Sequence, residues 1–284
     1  MNRGKEAHVA GAVGDALAAA TDALAASGVD TPRLDAELLL AEATGRDRAS
    51  LAAHPDDGVE PAAARAFGGM VRRRVRREPV AYILGRRGFR AIEVAVDRRV
   101  LIPRPETELL VEVALELRPA SVLDVGTGSG AVALAVATEL PDAAVIATDV
   151  FGAALEVARA NAARLGLAER VRFVLGSVPD EERFELVLAN LPYVREDEWE
   201  RLAPEIARYE PREALIAGPT GLEAIEPLVE AAPGAVLALE VGAGQATRTA
   251  SLMRGAGYID TESRRDLAGV DRVVVGRREG RADD

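Results

Sequence analysis

The sequence predicts an α/β fold in which a doubly wound, mostly parallel sheet of seven strands follows a small all-α domain. Up to about residue 80, apolar residues recur at the three- and four-residue spacing of amphipathic helices. Beyond residue 109, short apolar runs alternate with helical stretches, as a parallel sheet with crossover helices requires. An alternating segment between these regions predicts a β-hairpin. We therefore divide the chain into a helical domain (1–80), a connecting β-hairpin and loop (81–106) and an α/β domain (107–284).

Three helices are expected in the N-terminal domain. The first covers residues 13–28, and the second begins near Thr31 and Pro32 and ends at Gly45. The third covers residues 61–77 and ends in an arginine-rich stretch. We interpret these arginines as solvated groups that compensate the helix dipole, with a docking patch for an acidic protein surface or for RNA as the alternative. They are Arg72, Arg73, Arg74, Arg76 and Arg77.

Seven strands are expected in the α/β domain. Helical stretches are predicted between the first five strands, whereas the last two are close enough to form an antiparallel edge hairpin. The polar tail that begins at Arg278 is expected to be disordered. The predicted strands cover residues 121–127, 143–149, 170–176, 184–190, 235–241, 258–263 and 272–278.

Composition excludes several kinds of chemistry. The 284 residues include no cysteine, which rules out disulfides, thiolate zinc sites and a cysteine nucleophile, and no metal site is expected. The two histidines, His8 and His54, both lie near the N-terminus, so histidine catalysis is excluded elsewhere. A net charge of -11 argues against stable nucleic-acid binding. No signal peptide or membrane-spanning apolar run is present, so we expect a cytoplasmic protein without membrane contact.

A glycine-rich loop follows the first predicted strand of the α/β domain, at Gly126–Gly130. Glycines at such a strand-to-helix turn let a ligand approach the backbone closely. Asp149 ends the next strand, where a carboxylate can hold the two hydroxyls of a ribose. The loop therefore predicts an adenosine-containing ligand, although the same pattern could be only a tight turn.

Two ligand classes fit this loop, because Gly126, Gly128 and Ala131 also match the dinucleotide fingerprint. Asp124 favours S-adenosylmethionine over a dinucleotide. A carboxylate beside the loop would repel a pyrophosphate, whereas the sulfonium and ammonium groups of S-adenosylmethionine would be attracted. We therefore predict S-adenosyl-L-methionine, with S-adenosyl-L-homocysteine as the product.

The tetrapeptide Asn190-Leu191-Pro192-Tyr193 ends the fourth predicted strand. Strands one and four of a doubly wound sheet are neighbours, so this turn should face the glycine loop across one crevice. The Asn190 carboxamide oxygen and the Leu191 carbonyl can each accept a hydrogen bond from a target N–H. Tyr193 can pack on a planar target. These groups suit methyl transfer to an amide or amino nitrogen, although an ordinary turn with an exposed tyrosine is the simpler interpretation.

Further segments of the chain, from about Asp35 to Arg278, resemble a known family. This family is the protein-(glutamine-N5) methyltransferases of peptide chain release factors (PrmC/HemK). The matching segments are REPVAYILGRRGF (77–89), LIPRPETELLVE (101–112), VLDVGTGSGAVALA (122–135), NLPYV (190–194), YEPREALIAGPTGLEAI (209–225), LEVGAGQ (239–245) and RRDLAGVDRVVVGR (264–277).

The resemblance implies a class I S-adenosylmethionine-dependent methyltransferase, Rossmann-like, with a helical substrate-docking domain. Its implied partners are class 1 release factors, and its target is the glutamine of their Gly-Gly-Gln motif. The cofactor residues would be Asp124, Gly126, Thr127, Gly128, Ser129, Gly130, Asp149 and Asn190. The target residues would be Asn190, Leu191, Pro192 and Tyr193, with Arg104 and Glu106 in the same crevice.

The chain departs from the family at two points. Leu191 stands where the family usually has proline, which leaves the carbonyl in place and removes some rigidity. Ser177 and Val178 stand near the expected adenine position, where the family often has an acidic or aromatic pair. We therefore expect Ser177 or backbone groups to contact adenine, with an apolar contact from Val178.

Four alternative functions are considered. A ribosomal-protein glutamine methyltransferase would share these motifs, and a DNA adenine-N6 methyltransferase would use a similar tetrapeptide on a flipped base. Acidic charge and the lack of a basic target-recognition domain argue against DNA. A nicotinamide-dependent oxidoreductase would use the glycine loop, and a binding module would give no product.

Overall fold

A computed structural model describes residues 11–179 and 182–278. His8 and the predicted tail beyond Arg278 lie outside the described residues. The chain forms two compact units, one containing the residues up to Gly85 together with Pro204–Tyr209, and the other containing Arg86–Ala203 and Glu210 onward. No helix of the described residues is long and apolar enough to cross a membrane.

The helical unit contains the three predicted helices and two short additional ones. The helices are α1 (Val13–Ala26), α2 (Pro32–Thr44), α3 (Arg48–Ala53), α4 (Pro61–Val75) and α5 (Val80–Leu84). Thr31 and Gly45 bound α2 as predicted, and Gly45 has a left-handed conformation. The helices α3 and α5 were not predicted, because segments of six and five residues are too short to show a helical period.

The second unit begins with the predicted hairpin and continues with alternating strands and helices. In chain order these are β1 (Arg86–Phe89), β2 (Ile92–Ala95), α6 (Glu108–Leu117), β3 (Ser121–Val125), α7 (Ala131–Glu139), β4 (Ala144–Asp149), α8 (Gly152–Arg164), β5 (Val171–Leu175), β6 (Phe184–Ala189), β7 (Val194–Arg195), α9 (Pro204–Tyr209, which belongs to the helical unit), β8 (Ile216–Gly218), α10 (Ile225–Ala231), β9 (Gly234–Glu240), α11 (Ala246–Gly255), β10 (Asp260–Arg265) and β11 (Asp271–Arg277).

The seven-stranded sheet has the order β10-β11-β9-β6-β3-β4-β5. The five strands from β9 to β5 are parallel, and β10 and β11 form the predicted antiparallel hairpin at the edge. Strands β3 and β6 are neighbours, as predicted. The doubly wound fold is therefore confirmed, and its central strands are apolar because helices cover both faces of such a sheet.

Two details of the strand prediction are wrong. No helix lies between β5 and β6 in the described residues 176–179 and 182–183, because the connection is too short and contains Gly176 and Pro179. The short parallel pair of β7 and β8 was not predicted, because two or three residues show no alternation. In this pair, the segment before α9 is hydrogen-bonded to the segment after it.

Of the five arginines that the sequence predicted to be solvated at the end of α4, Arg72, Arg73 and Arg76 are exposed, whereas Arg74 and Arg77 form internal ion pairs. Arg74 is 6% exposed, its Nε donates to Asp35 at 2.7 Å, and its Nη1 lies 2.8 Å from Glu205 in α9. Arg77 also pairs with Glu205, and Arg73 pairs with Glu78. The helix end is therefore held by internal carboxylates, which a sequence pattern cannot reveal because they lie 39 and 131 positions away from Arg74 in the chain.

Replacing Arg74 with methionine should lower the free energy of unfolding of the helical unit by about 3–5 kcal/mol, because the buried Asp35 carboxylate loses its cation. The matched control is Arg33→Met. Arg33 pairs with Glu37 but its side chain is 53% exposed, so we expect a loss below about 1 kcal/mol. Urea unfolding measures both, and equal losses would contradict a structural role for the buried pair.

Candidate functional site

A cavity of about 640 Å³ opens at the carboxyl ends of the parallel strands in the second unit. This volume is within the usual range for sites that bind small molecules. Ten of the residues predicted for the site line it, and they come from the glycine loop, the ends of β4 and β6, and the loop after β5. They are Asp124, Gly126, Thr127, Gly128, Ser129, Asp149, Ser177, Asn190, Leu191 and Pro192.

The glycine loop and the Asn190 turn lie side by side. Gly126 has a φ of +73°, and a Cβ atom there would lie 2.8 Å from Leu191 Cδ2 and 3.8 Å from the Asn190 carbonyl oxygen. The two segments meet because β3 and β6 are adjacent parallel strands, so their carboxyl ends reach the same edge of the sheet. The crevice predicted from the sequence is therefore present in the structure.

Asp124 fixes the glycine loop to the start of α7. Its Oδ2 accepts hydrogen bonds from Thr127 Oγ1 at 2.6 Å and from the Ala133 N–H at 3.2 Å. Burial raises the pKa of Asp124 to about 6, with a smaller contribution from Asp149. The cavity thus contains a carboxylate whose charge is costly without a cation beside it.

Asp149 joins the ends of β3 and β4. Its Oδ2 accepts from the Gly128 N–H and its Oδ1 from the Phe151 N–H, both at 2.9 Å. Burial raises its pKa, and these backbone bonds act in the opposite direction. Each carboxylate oxygen has a second lone pair, so both remain able to accept from ligand hydroxyls.

The Asn190 side chain is held by a residue that the sequence analysis did not select. Asn190 Nδ2 donates to Thr107 Oγ1 at 3.1 Å. Thr107 is 4% exposed and lies just before α6. Because the amide nitrogen is engaged and the Asn190 Oδ1 accepts no hydrogen bond from the described residues, that oxygen is left to accept from a ligand.

Five other predicted residues lie outside the cavity lining. Gly130 packs against Leu134 and Ala158, and Val178 packs on the hydrophobic core. Arg104 pairs with the buried Glu210, which its position in the chain did not suggest. Two more, Glu106 and Tyr193, are described next.

Tyr193 and Glu106 lie near the buried carboxyl group of Glu240. The Tyr193 hydroxyl donates to Glu240 Oε1 at 3.2 Å, and burial raises the pKa of the tyrosine. Burial also raises the pKa of Glu240, and the nearby Glu106 adds to this rise while Arg272 opposes it. The Tyr193 hydroxyl is thus engaged by Glu240, while the packing of its ring on a planar target stays a prediction.

Several lining residues were missed by the sequence analysis. Val150 is 61% exposed and Phe151 44%, which gives the cavity an apolar surface next to Asp149 and Ser177. Exposed apolar residues directly after a strand-ending aspartate are a signal that could have been used. Glu223 also lines the cavity, where N–H groups of the turn at Thr220 and Leu222 hold its carboxylate.

Comparison with known proteins identifies relatives of both units. Residues 15–85 match a family model described as the PrmC N-terminal domain, and residues 122–209 match a methyltransferase domain. The chain is 43% identical over 272 residues to the release factor glutamine methyltransferase of Cereibacter sphaeroides, covering 93% of this chain and 97% of that protein. It is 46% identical over 259 residues to the enzyme of the same name from Bordetella pertussis, covering 86% and 94%.

A solved structure supports the fold alone. The hMettl16 catalytic domain, in complex with MAT2A 3′UTR hairpin 6, matches with a TM-score of 0.53 and 14% identity. The match covers 65% of this chain and 75% of that one.

Replacing Gly126 with alanine should destabilise the second unit more than replacing Gly128. Both positions have positive φ, which costs about 1–2 kcal/mol for a residue with a Cβ. Only at Gly126 would the Cβ also collide with Leu191 Cδ2, the end of a side chain that can shift to another rotamer, which adds about 0.5–1.5 kcal/mol. Thermal or urea unfolding of the two variants measures the difference, and equal stabilities would contradict the close approach of the two segments.

Proposed function

The chain belongs to the family of release factor glutamine methyltransferases, and on this basis we propose how its cavity transfers a methyl group to the side-chain amide nitrogen (N5) of a glutamine. The family and the class I methyltransferase fold expected from the sequence are confirmed. We propose the glutamine of the Gly-Gly-Gln motif of class 1 release factors as the substrate. Its support is the name shared by relatives that match almost the whole chain.

The residues of the cavity fit S-adenosyl-L-methionine as the methyl donor. Asp124 and Asp149 provide negative charge for a cationic ligand, and Asp149 can accept from ribose hydroxyls. Ser129 Oγ is buried in the lining without a hydrogen-bond partner among the described residues, so it is available to a polar ligand group. Val150, Phe151 and Ser177 offer one polar and two apolar contacts for adenine. When bound, this cofactor supplies an electrophilic methyl group.

One observation supports the target site most directly: the Asn190 carboxamide lines the cavity with its nitrogen engaged by Thr107. Its free oxygen would accept one N–H of the target amide, and the Leu191 carbonyl would accept the other. With both N–H groups of the target amide held in the amide plane, the lone pair of its nitrogen would point at the methyl group of the donor. Because an amide nitrogen is a weak nucleophile, such positioning would provide much of the acceleration.

Roles outside this crevice are also proposed. The helical unit would dock the release factor, in line with its match to the PrmC N-terminal domain. Tyr193 would act by supporting the Asn190 turn, since its hydroxyl is bound to Glu240. Arg104, paired with Glu210, would hold the loop before α6, where the Ile102 N–H also donates to Glu210.

The reaction is tested by incubating the purified protein with methyl-labelled S-adenosylmethionine and a class 1 release factor. Peptide mapping should place one added methyl group on the Gly-Gly-Gln glutamine. A release factor with that glutamine replaced is the control substrate. Methylation of a ribosomal protein or of duplex DNA, with none of the release factor, would contradict the proposed substrate.

Replacing Asn190 with alanine should lower kcat about 10²–10³-fold, by analogy with the loss of one positioned hydrogen-bonding group at an active site. The dissociation constant for the cofactor, measured by calorimetry, should change little, because the glycine loop, Asp124 and Asp149 remain. Near-normal turnover would contradict the role of Asn190. The matched control is Thr249→Val, which removes a buried hydroxyl that has no hydrogen-bond partner among the described residues.

Cofactor affinity should depend on pH through Asp124. Its pKa is raised to about 6, so the carboxyl group is charged above this pH and becomes neutral below it. The attraction for a cationic ligand is therefore present at pH 8 and lost as the pH falls through about 6. Calorimetric titration at several pH values measures this, with Asp124→Asn as the variant that should bind weakly with a flatter pH profile. Stronger binding at low pH would contradict the prediction.

A further inference from the structure

Asn161 is a fully buried polar side chain of α8 to which the proposed mechanism gives no part. A buried carboxamide is costly unless its hydrogen-bonding groups are paired. Its Oδ1 accepts from the Ala95 N–H at 2.7 Å, and its Nδ2 donates to the Ala95 carbonyl oxygen at 3.0 Å. The same nitrogen donates to the Ser129 carbonyl oxygen at 2.9 Å. One side chain thus joins β2 of the hairpin to the glycine loop.

These three bonds fix the orientation of the carboxamide. An NH2 group has two protons, and a backbone carbonyl oxygen is available to each of them. If the carboxamide were turned over, its oxygen would face those two carbonyls and its NH2 group would face the Ala95 N–H. In the two-stranded hairpin β2 has β1 as its neighbour, and at Ala95 the carboxamide supplies the pair of hydrogen bonds that a second neighbouring strand would supply.

The Ser129 carbonyl belongs to the second half of the glycine loop. In the first half, the N–H groups of residues 126–128 all donate to the last two residues of β4. In the second half, Gly130 has a φ of +82°, which glycine adopts easily but which gives the free chain more conformational freedom to lose. The bond from Asn161 to Ser129 holds this second half from α8.

Both segments that Asn161 joins continue into the lining of the cavity. Ser129 is itself a lining residue, whereas the segment that follows Ala95 contributes a second wall. The lining residues of that wall are Arg98, Arg99, Val100, Leu101 and Pro103. The hydrogen bonds of Asn161 therefore set the spacing between two walls of the cavity.

We propose that Asn161 is a positioning residue for the cofactor, which holds Ser129 and β2 at a fixed spacing so that the glycine loop has its binding conformation before the ligand arrives. Without the NH2 group, the loop would have to be ordered at the moment of binding, and this loss of freedom would weaken the affinity. The chemistry at Asn190 would be unchanged once the cofactor is bound. This inference rests on the proposed function, in which S-adenosyl-L-methionine occupies the cavity.

Three variants separate this role from simple packing. Asn161→Leu keeps the approximate size of the buried side chain and removes all three hydrogen bonds. Arg164→Met, one turn further along α8, releases a separate contact with the hairpin at the Glu93 carbonyl oxygen and leaves the bond to Ser129 in place. Val157→Ala removes buried apolar groups from the same helix and also leaves these hydrogen bonds in place.

Calorimetry with S-adenosyl-L-homocysteine gives the first test. Asn161→Leu should raise the dissociation constant about tenfold, the effect of one buried hydrogen bond, while kcat at saturating cofactor stays within about twofold of the wild type. Arg164→Met and Val157→Ala should bind within about twofold of the wild type, although Val157→Ala also lowers the free energy of unfolding. Unchanged affinity of Asn161→Leu, or an equal loss of affinity in Val157→Ala, would overturn the proposal.

Side-chain amide exchange gives a second test, which needs no variant of Asn161. The chain has three asparagines, Asn2, Asn161 and Asn190, so protein labelled with ¹⁵N-asparagine gives few NH2 signals. The Asn161 signal is the one that persists in both Asn2→Ala and Asn190→Ala. It should exchange slowly with solvent, because both protons are bound to carbonyls, and it should shift when S-adenosyl-L-homocysteine is added. Rapid exchange, or no response to the ligand, would overturn the positioning role.

The two proposals fail in different ways. A wild-type protein that does not bind S-adenosyl-L-homocysteine would refute the proposed cofactor and, with it, this role of Asn161. Normal binding by the wild type together with unchanged binding by Asn161→Leu would refute the role of Asn161 alone.

Discussion

The candidate site depends on one constraint, that parallel strands bring their carboxyl ends to the same edge of a sheet. In this chain β3, β4, β6 and β9 end in the glycine loop, Asp149, Asn190 and Glu240 respectively. The strands themselves are apolar because both faces of the sheet are covered, so polar side chains are collected where the strands stop. The glycine loop, Asp149 and Asn190, which are far apart in the sequence, thus line one cavity, and Glu240 is buried at the end of the next strand.

Burial changes the pKa values of the carboxyl groups at these strand ends. Asp124, Asp149 and Glu240 lie at strand ends where solvent is largely excluded, and burial raises the pKa of each of them. Backbone N–H groups or hydroxyls hydrogen-bond to every one of these carboxyl groups and partly offset the cost. The first two groups line the cavity and are thereby suited to a cationic ligand, while the third lies outside the lining and accepts from the Tyr193 hydroxyl. The acidic net charge of the chain is consistent with this pattern.

In the helical unit, a buried charge is neutralised by side chains of the opposite charge. Its buried cation, Arg74, is neutralised by Asp35 from α2 and Glu205 from α9, so a segment that follows the Asn190 turn in the sequence completes the charge balance of a unit formed mostly by the first 85 residues. Removal of one partner of such a buried pair leaves the other charge uncompensated, which is why the pair matters to the folded state. Arg74 and Arg77 at the end of α4 are therefore part of the interior of the unit, whereas Arg72, Arg73 and Arg76 are exposed.

The sequence by itself determined the seven strands of the main sheet in chain order, the glycine loop, Asp149, the Asn190 turn and the family. These features are local: apolar periodicity, glycine at a turn and a tetrapeptide after a strand can all be recognised within a short window. Only the tertiary structure decided which other residues form hydrogen bonds and ion pairs with them. Asn190 donates to Thr107, Tyr193 donates to Glu240, and Arg74 pairs with carboxylates 39 and 131 positions away. Hydrogen bonds and ion pairs between distant positions leave no periodic pattern, and this is the physical reason why the chain had to be folded before they could be identified.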